Sequence, residues 1–152
     1  MQESLIIFLE DKYFFGLLPT DFDQFFSLNK AWISPTDESS PVWKFEREEE
    51  PHEGNFVHFG NLLGLSAATF SEKGYVFLKK VSETSSQGVF INQFIMRVAL
   101  KKMKERNRIE VDEANVFPPD IPRTAFRYVQ HYKRKNIMVL DPLMLFRAYD
   151  IK

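Results

Sequence analysis

The sequence contains no cysteine, and this absence excludes several kinds of chemistry. Without thiols the chain cannot form a disulfide, a thiolate metal site or a cysteine nucleophile. No apolar run approaches the roughly 18 residues of a membrane-spanning helix. The N-terminal stretch has an acidic flank and lacks the basic region of a signal peptide. We therefore expect a cytoplasmic protein that does not enter a membrane.

Glycine is also scarce, and the six glycines form neither G-x-G-x-x-G nor a lysine-ended phosphate loop. A G-x-S-x-G elbow, which would mark a serine nucleophile, is missing as well. We predict no cofactor, and the balance of signals is against an enzyme, although the sequence does not decide this point. At 152 residues the chain is long enough to form a stable hydrophobic core without disulfide bonds or structural metal ions. We predict one α+β domain over residues 1–152.

The chain is rich in phenylalanine, and its acidic and basic residues are concentrated in different halves. Sixteen residues are Phe, which indicates an aromatic core or a surface that contacts a partner. Residues 1–60 hold 12 acidic and 4 basic side chains, net −8, whereas residues 61–152 hold 9 and 16, net +7. Such asymmetry points to a charged partner, or to two halves that fold together and neutralise each other.

The pattern of apolar residues predicts a small antiparallel sheet packed on one helix. Alternation favours strands near 42–47, 55–59 and 75–81, the first two forming a hairpin. Residues 87–106 are apolar on almost every side of a helix from Val89 to Leu100, and they end in a basic tail. We therefore predict a buried central helix there. Further helices are predicted near the C-terminus, over 122–135 and after Asp141-Pro142.

The basic residues of the second half form the candidate site. On a helix over 122–135, Arg123, Arg127, His131 and Arg134 or Lys135 would form one stripe with Tyr128 at its edge. The basic tail of the central helix would extend this stripe if the two helices lay side by side. Such a surface would attract phosphates, and the aromatic ring could stack on bases. The predicted nucleic-acid or anion-binding residues are Lys101, Lys102, Lys104, Arg106, Arg108, Arg123, Arg127, Tyr128, His131, Arg134 and Lys135.

Three functions are compatible with these patterns. The favoured one is a non-catalytic binding module, a subunit or adaptor of a larger intracellular assembly with a protein partner. The second is direct nucleic-acid binding through the basic helices 101–108 and 122–135. The third is a metal-dependent hydrolase that uses carboxylates. For this third function the acidic and histidine-bearing turn at 48–58 matches no ligand spacing, and we predict no metal site.

Overall fold

The computed structural model describes residues 3–10, 12–27, 33–35, 42–47, 52–63, 74–83, 85–92, 94–111, 117–119 and 121–149. Over these residues the chain is built mainly from β-strands. In chain order the strands are β1 (Ser4–Glu10), β2 (Tyr13–Leu17), β3 (Gln24–Ser27), β4 (Ile33–Pro35), β5 (Val42–Arg47), β6 (His52–His58), β7 (Tyr75–Lys80), β8 (Ser85–Ile91), β9 (Phe94–Ala99), β10 (Arg108–Ile109), β11 (Phe126–Tyr132) and β12 (Lys135–Leu140). The helix α1 (Pro142–Ala148) follows the last strand.

The strands form two six-stranded sheets. The first sheet has the order β10-β11-β12-β2-β1-β9, and the second has the order β3-β7-β8-β6-β5-β4. The first sheet therefore draws its strands from both ends of the chain, whereas the second uses the middle. Each sheet contains one parallel pair, β12 with β2 in the first and β6 with β8 in the second. The other strand pairs are antiparallel.

The inner strands β1, β8 and β12 are largely buried on both faces. In β1, Ile6 and Phe8 point into a central core that also contains residues of the second sheet, while Leu5 and Ile7 point into a separate inner core. The second sheet alternates in the same way between the central core and an inner core around Phe56 and Phe90. Since β9 and β11, from opposite sides of the first sheet, contribute to the same inner core, this sheet curls around it. The central core thus lies between the two sheets.

The predicted central helix over 87–106 is wrong. This segment supplies β8, then β9, then two short 3-10 turns over Leu100–Lys102 and Glu105–Asn107. In β8, Val89 and Ile91 pack in the central core while Phe90 packs in the inner core of the second sheet. A strand with two buried faces has a continuous apolar run, and such a run has the composition expected of a fully buried helix.

The predicted helix over 122–135 is also wrong. Residues Arg123–Ala125 form a short 3-10 turn, and β11 and β12 follow as a hairpin. The register shifts between Phe126 and Tyr128, so Arg127 occupies a β-bulge. The α+β arrangement of a sheet on a central helix is therefore replaced, in the residues that the structure describes, by two sheets with one short α-helix.

Several local predictions are confirmed. The strands near 42–47, 55–59 and 75–81 correspond to β5, β6 and β7, and β5 pairs with β6 as an antiparallel hairpin. The last helix begins where Asp141-Pro142 predicts. The Asp141 side chain accepts a hydrogen bond from the Met144 N–H at 3.3 Å, and the fixed φ of Pro142 suits the first helical position.

Candidate functional site

A cleft of about 370 Å³ opens beside the first residues of β2 and β12. The two strands run parallel, with Phe14 opposite Ile137 and Phe15 opposite Met138, so their first residues come to the same end of the sheet. The lining side chains are Lys12, Tyr13, Phe14, Phe117, Arg134, Lys135, Asn136 and Met138. We call this feature the basic cleft, because three of the lining residues that the structure describes are cations.

The aromatic rings of the basic cleft are covered by cations. Lys12 Nζ lies 5.5 Å from the centroid of the Tyr13 ring, and Lys135 Nζ lies 5.7 Å from that of Phe14. The guanidinium of Arg123 lies 5.2 Å from the centroid of the Phe117 ring. Each contact is within the range in which a ring face attracts a cation. The rings therefore hold positive charge at the mouth of the cleft.

The turn that carries Arg134 adopts an unusual backbone conformation. Lys133 and Arg134 have φ angles of 48° and 64°, and they join β11 to β12 in a two-residue hairpin. Two positive φ angles in such a loop are the signature of a type I′ turn, which favours Asn-Gly. This conformation costs a residue with a Cβ roughly 1 kcal/mol or more. Backbone strain of this kind is often found at functional sites, where the side chain of the strained residue is used.

Only part of the sequence-predicted basic set reaches the cleft. Arg134 and Lys135 line it, and Arg123 lies over one of its rings. The other lining residues, Lys12, Tyr13, Phe14 and Phe117 among them, were missed by sequence reasoning. No signal in one sequence could place Lys12, Tyr13 and Phe14 there, because a parallel pairing between chain-distant strands leaves no local pattern. Lys101, Lys102, Lys104 and Arg106 are exposed in the turns between β9 and β10 and do not line the cleft.

The remaining predicted residues have partners elsewhere in the fold. Arg127 donates to both carboxylate oxygens of Asp21, at 2.8 and 3.0 Å. The Arg108 guanidinium lies 4.4 Å from the centroid of the Tyr128 ring, and its Nε donates to Gln130 at 3.3 Å. His131 Nδ1 is hydrogen-bonded to Asn136 at 3.1 Å. The structure therefore pairs Arg127 of the basic half with Asp21 of the acidic half. It does not place the predicted residues in one stripe.

A second polar group is buried at the seam between the sheets. Glu10 ends β1 and His58 ends β6, and they are only 8% and 2% exposed. A Cβ added at Gly60 would lie 3.0 Å from His58 Cε1 and 3.2 Å from Glu10 Oε2, so both side chains border the space beside this glycine. Burial raises the pKa of the Glu10 carboxyl above its ordinary value of 4.5, while hydrogen bonds from Asn92 partly oppose this change.

Replacing Glu10 with glutamine should stabilise the protein at neutral pH. Because the folded-state pKa is raised, the folded chain keeps a proton where the unfolded chain has lost it, so stability falls as pH rises above 4.5. Glutamine mimics the neutral form at every pH. The gain should be absent at pH 4, grow until the pH passes the raised pKa, and then level off. Each tenfold difference in proton affinity between the folded and unfolded chains contributes about 1.4 kcal/mol to it. Urea titrations of both proteins from pH 4 to 8 measure this gain.

The exposed Glu110 supplies the control for this experiment. A Glu110→Gln variant should change the free energy of unfolding much less, since its carboxylate remains in water when the chain folds. A Glu10→Gln variant that is less stable than the parent at pH 8 would contradict the assignment, because it would mean that the charged carboxylate is the form that the fold favours.

The metal-site hypothesis gains no support from the part of the chain that the structure covers. Within those residues no group of three His, Asp or Glu side chains is placed to hold a metal ion. In the acidic turn at 48–58, the residues Glu48, Glu49 and Glu50 lie outside the described part of the chain. No helix among the described residues is long and apolar enough to cross a membrane.

Comparison with known proteins identifies a fold. No family model matches the sequence, and a search of curated proteins finds no match. Among solved structures, the chain is similar to the scaffolding protein TtCheW from Thermoanaerobacter tengcongensis, with a TM-score of 0.70. The likeness covers 96% of this chain and 88% of that protein at 11% sequence identity. The two proteins therefore share their fold.

Proposed function

We propose that the protein is a non-catalytic binding module, a subunit or adaptor that joins protein partners in a larger cytoplasmic assembly. The observation that carries this proposal is the likeness to a scaffolding protein over 96% of the chain. Fold alone does not determine function. The proposal therefore also needs a surface on this chain that is suited to a protein partner.

The edge of the second sheet provides such a surface. Among the residues that the structure describes, β3 is the last strand at one side of this sheet, and Phe25 in this strand is 49% exposed. The Phe25 ring stacks on Phe77 at 5.3 Å and meets Tyr75 edge-on at 6.2 Å. Phe77 belongs to the central core, so an aromatic row extends from the core to the solvent.

The partner that fits this edge is an extended segment of another protein. An edge strand offers backbone N–H and C=O groups to an incoming strand, and an exposed aromatic ring beside it supplies an anchor. The short length of β3, four residues, limits pairing with further copies. We therefore place the partner along β3, with an apolar side chain against Phe25.

A Phe25→Ser variant should separate the protein from its assembly. With a tagged chain in its source cells, we expect the parent to elute well above its mass of 17.9 kDa in size-exclusion chromatography. Loss of a central aromatic anchor costs about 2 kcal/mol or more, or roughly 30-fold in affinity, so the variant should shift to the monomer position. Leu143→Ser is the matched control, because Leu143 is 50% exposed but lies on α1, and it should leave the elution unchanged.

The outcomes separate the function from its surface. If the parent itself elutes as a monomer, the adaptor proposal fails. If the parent is in a complex that Phe25→Ser leaves intact, the assembly exists but β3 is not its contact. The purified parent alone, run on the same column, shows whether the heavier species is only an oligomer of this chain.

Direct nucleic-acid binding stays a prediction of the sequence. It depends on a continuous basic surface, whereas Arg127 and Arg108 are engaged with Asp21 and Tyr128. To contact a phosphate, each arginine would first have to leave its partner in the fold. Each phosphate contact would then add less to the affinity for nucleic acid. For this reason we favour the protein partner.

A further inference from the structure

We propose that the basic cleft binds a small organic phosphate of about nucleotide size. This site is separate from the β3 edge and does not depend on the adaptor function. The positive charge of the site comes from Lys12, Arg134 and Lys135, which line the cleft together with aromatic and apolar side chains.

The charge of the cleft selects the class of ligand. Among the described lining residues three are cations and none is acidic, so these like charges face one another. A single carboxylate would neutralise only one of them, whereas a phosphoryl group carries about −1.5 to −2 at pH 7 and offers three acceptor oxygens. Arginine can grip two of these oxygens at once, and the lysines add point charges.

The size of the cleft indicates more than inorganic phosphate. Pockets for drug-sized and cofactor-sized ligands range from roughly 300 to 1,000 Å³ and combine apolar walls with a few polar groups. The basic cleft, at about 370 Å³, falls at the lower end of that range. Phe117 supplies an apolar wall and Asn136 supplies an amide. A ligand that fills it should therefore have an organic portion beside its phosphates.

The ring contacts favour a compact phosphate over a nucleic-acid strand. Single-strand binding uses open aromatic faces on which successive bases stack. In this cleft a lysine lies over the ring of Tyr13 and another over the ring of Phe14. These ring faces therefore hold cations and are not open for base stacking. The exposed Lys101, Lys102 and Arg106, which could continue a strand-binding path, do not line the cleft.

The two-residue hairpin requires positive φ at both turn residues, and the presence of an arginine at one of them agrees with this proposal. Arg134 has φ of 64° and lines the cleft, and its neighbour Lys133 has φ of 48° and does not. Glycine would adopt the Arg134 conformation without strain. Holding an arginine there costs stability, and a contact between its guanidinium and a bound phosphate would offset that cost.

Calorimetric titration with ATP, pyrophosphate, a twelve-residue oligothymidylate and an acidic peptide tests the proposal. We expect ATP to bind with a Kd below about 1 mM and pyrophosphate more weakly, since it leaves the apolar wall empty. If ATP and pyrophosphate both fail to bind, or if the oligonucleotide or the peptide binds ten-fold more tightly than ATP, the proposal is overturned.

Two variants of the same turn provide a matched comparison. Arg134→Gly should weaken ATP binding roughly ten-fold, because one charge-assisted contact is lost, without lowering the midpoint of thermal unfolding. Lys133→Asn also removes a cation at positive φ, but from a residue outside the cleft, so it should leave ATP binding within two-fold of the parent. Equal effects of the two variants would show that only general charge attracts the ligand and would overturn the site.

Discussion

Replacement of Phe15 with alanine is expected to lower the free energy of unfolding by about 4 kcal/mol. Removing a fully buried phenylalanine costs about 3–5 kcal/mol, through lost transfer energy and the cavity left behind. Phe15 is fully buried in the central core. Its ring lies 4.5 Å from the Phe59 ring and 6.0 Å from the Phe126 ring, so it contacts aromatic residues associated with both sheets. Urea denaturation measures the change.

The same variant tests whether residues 1–152 form one domain, as we propose. Trp43 belongs to the second sheet, and its fluorescence reports there in a Trp32→Phe background, which removes the other of the two tryptophans. Hydrogen exchange of residues 126–140, followed by mass spectrometry, reports on the first sheet. Because the central core is shared, both probes should show one transition that shifts by the same amount. Loss of protection in the first sheet alone would instead mean that the sheets unfold independently.

Phe25→Ala is the control for this chemical change. It removes the same side chain from a position that is 49% exposed, where less apolar area returns to water and no cavity forms. We expect a loss of about 1 kcal/mol. If the two variants lost similar stability, Phe15 would not have the central packing role that its contacts indicate.

How far the sequence predicts the fold depends on how many faces of a strand are buried. Where Lys44 is exposed between the more buried Trp43 and Phe45, the alternation is visible and β5 was predicted correctly. In β8 and β12 both faces meet a core, so the alternation disappears. The sequence then shows only one long apolar run. Over residues 87–106 this run covers β8 and β9, which belong to different sheets.

The candidate site was predictable only where it is local. Arg134 and Lys135 were identified because they lie in a basic segment, although the helix assigned to that segment was wrong. The spacing of four residues between Arg127 and His131 suggests a helical stripe, but the structure places the two on a β-bulge and the strand after it. Lys12 joins the cleft through the pairing of β2 with β12, which are more than a hundred residues apart, and no local pattern contains this pairing.

Gly88→Ala distinguishes the two structures proposed for residues 87–106 by the sign of its effect. Within a helix, alanine in place of glycine would stabilise by up to about 1 kcal/mol. In β8, Gly88 lies opposite Leu78 of β7 and Phe56 of β6. A Cβ there would lie 2.7 Å from the Phe77 carbonyl oxygen and 2.6 Å from Leu78 Cδ2.

We therefore expect Gly88→Ala to lower the free energy of unfolding by about 3 kcal/mol, at the upper end for overpacking, because a paired backbone carbonyl must move. Gly16→Ala is the matched control. Its Cβ would meet only side-chain methyl groups, with Leu5 Cδ1 at 2.9 Å and Ile137 Cγ2 at 3.0 Å, which can shift at lower cost. Thermal and urea unfolding of the three proteins measure the difference. A Gly88→Ala variant more stable than its parent would contradict the strand, and an equal loss in both variants would contradict the role of the Phe77 carbonyl.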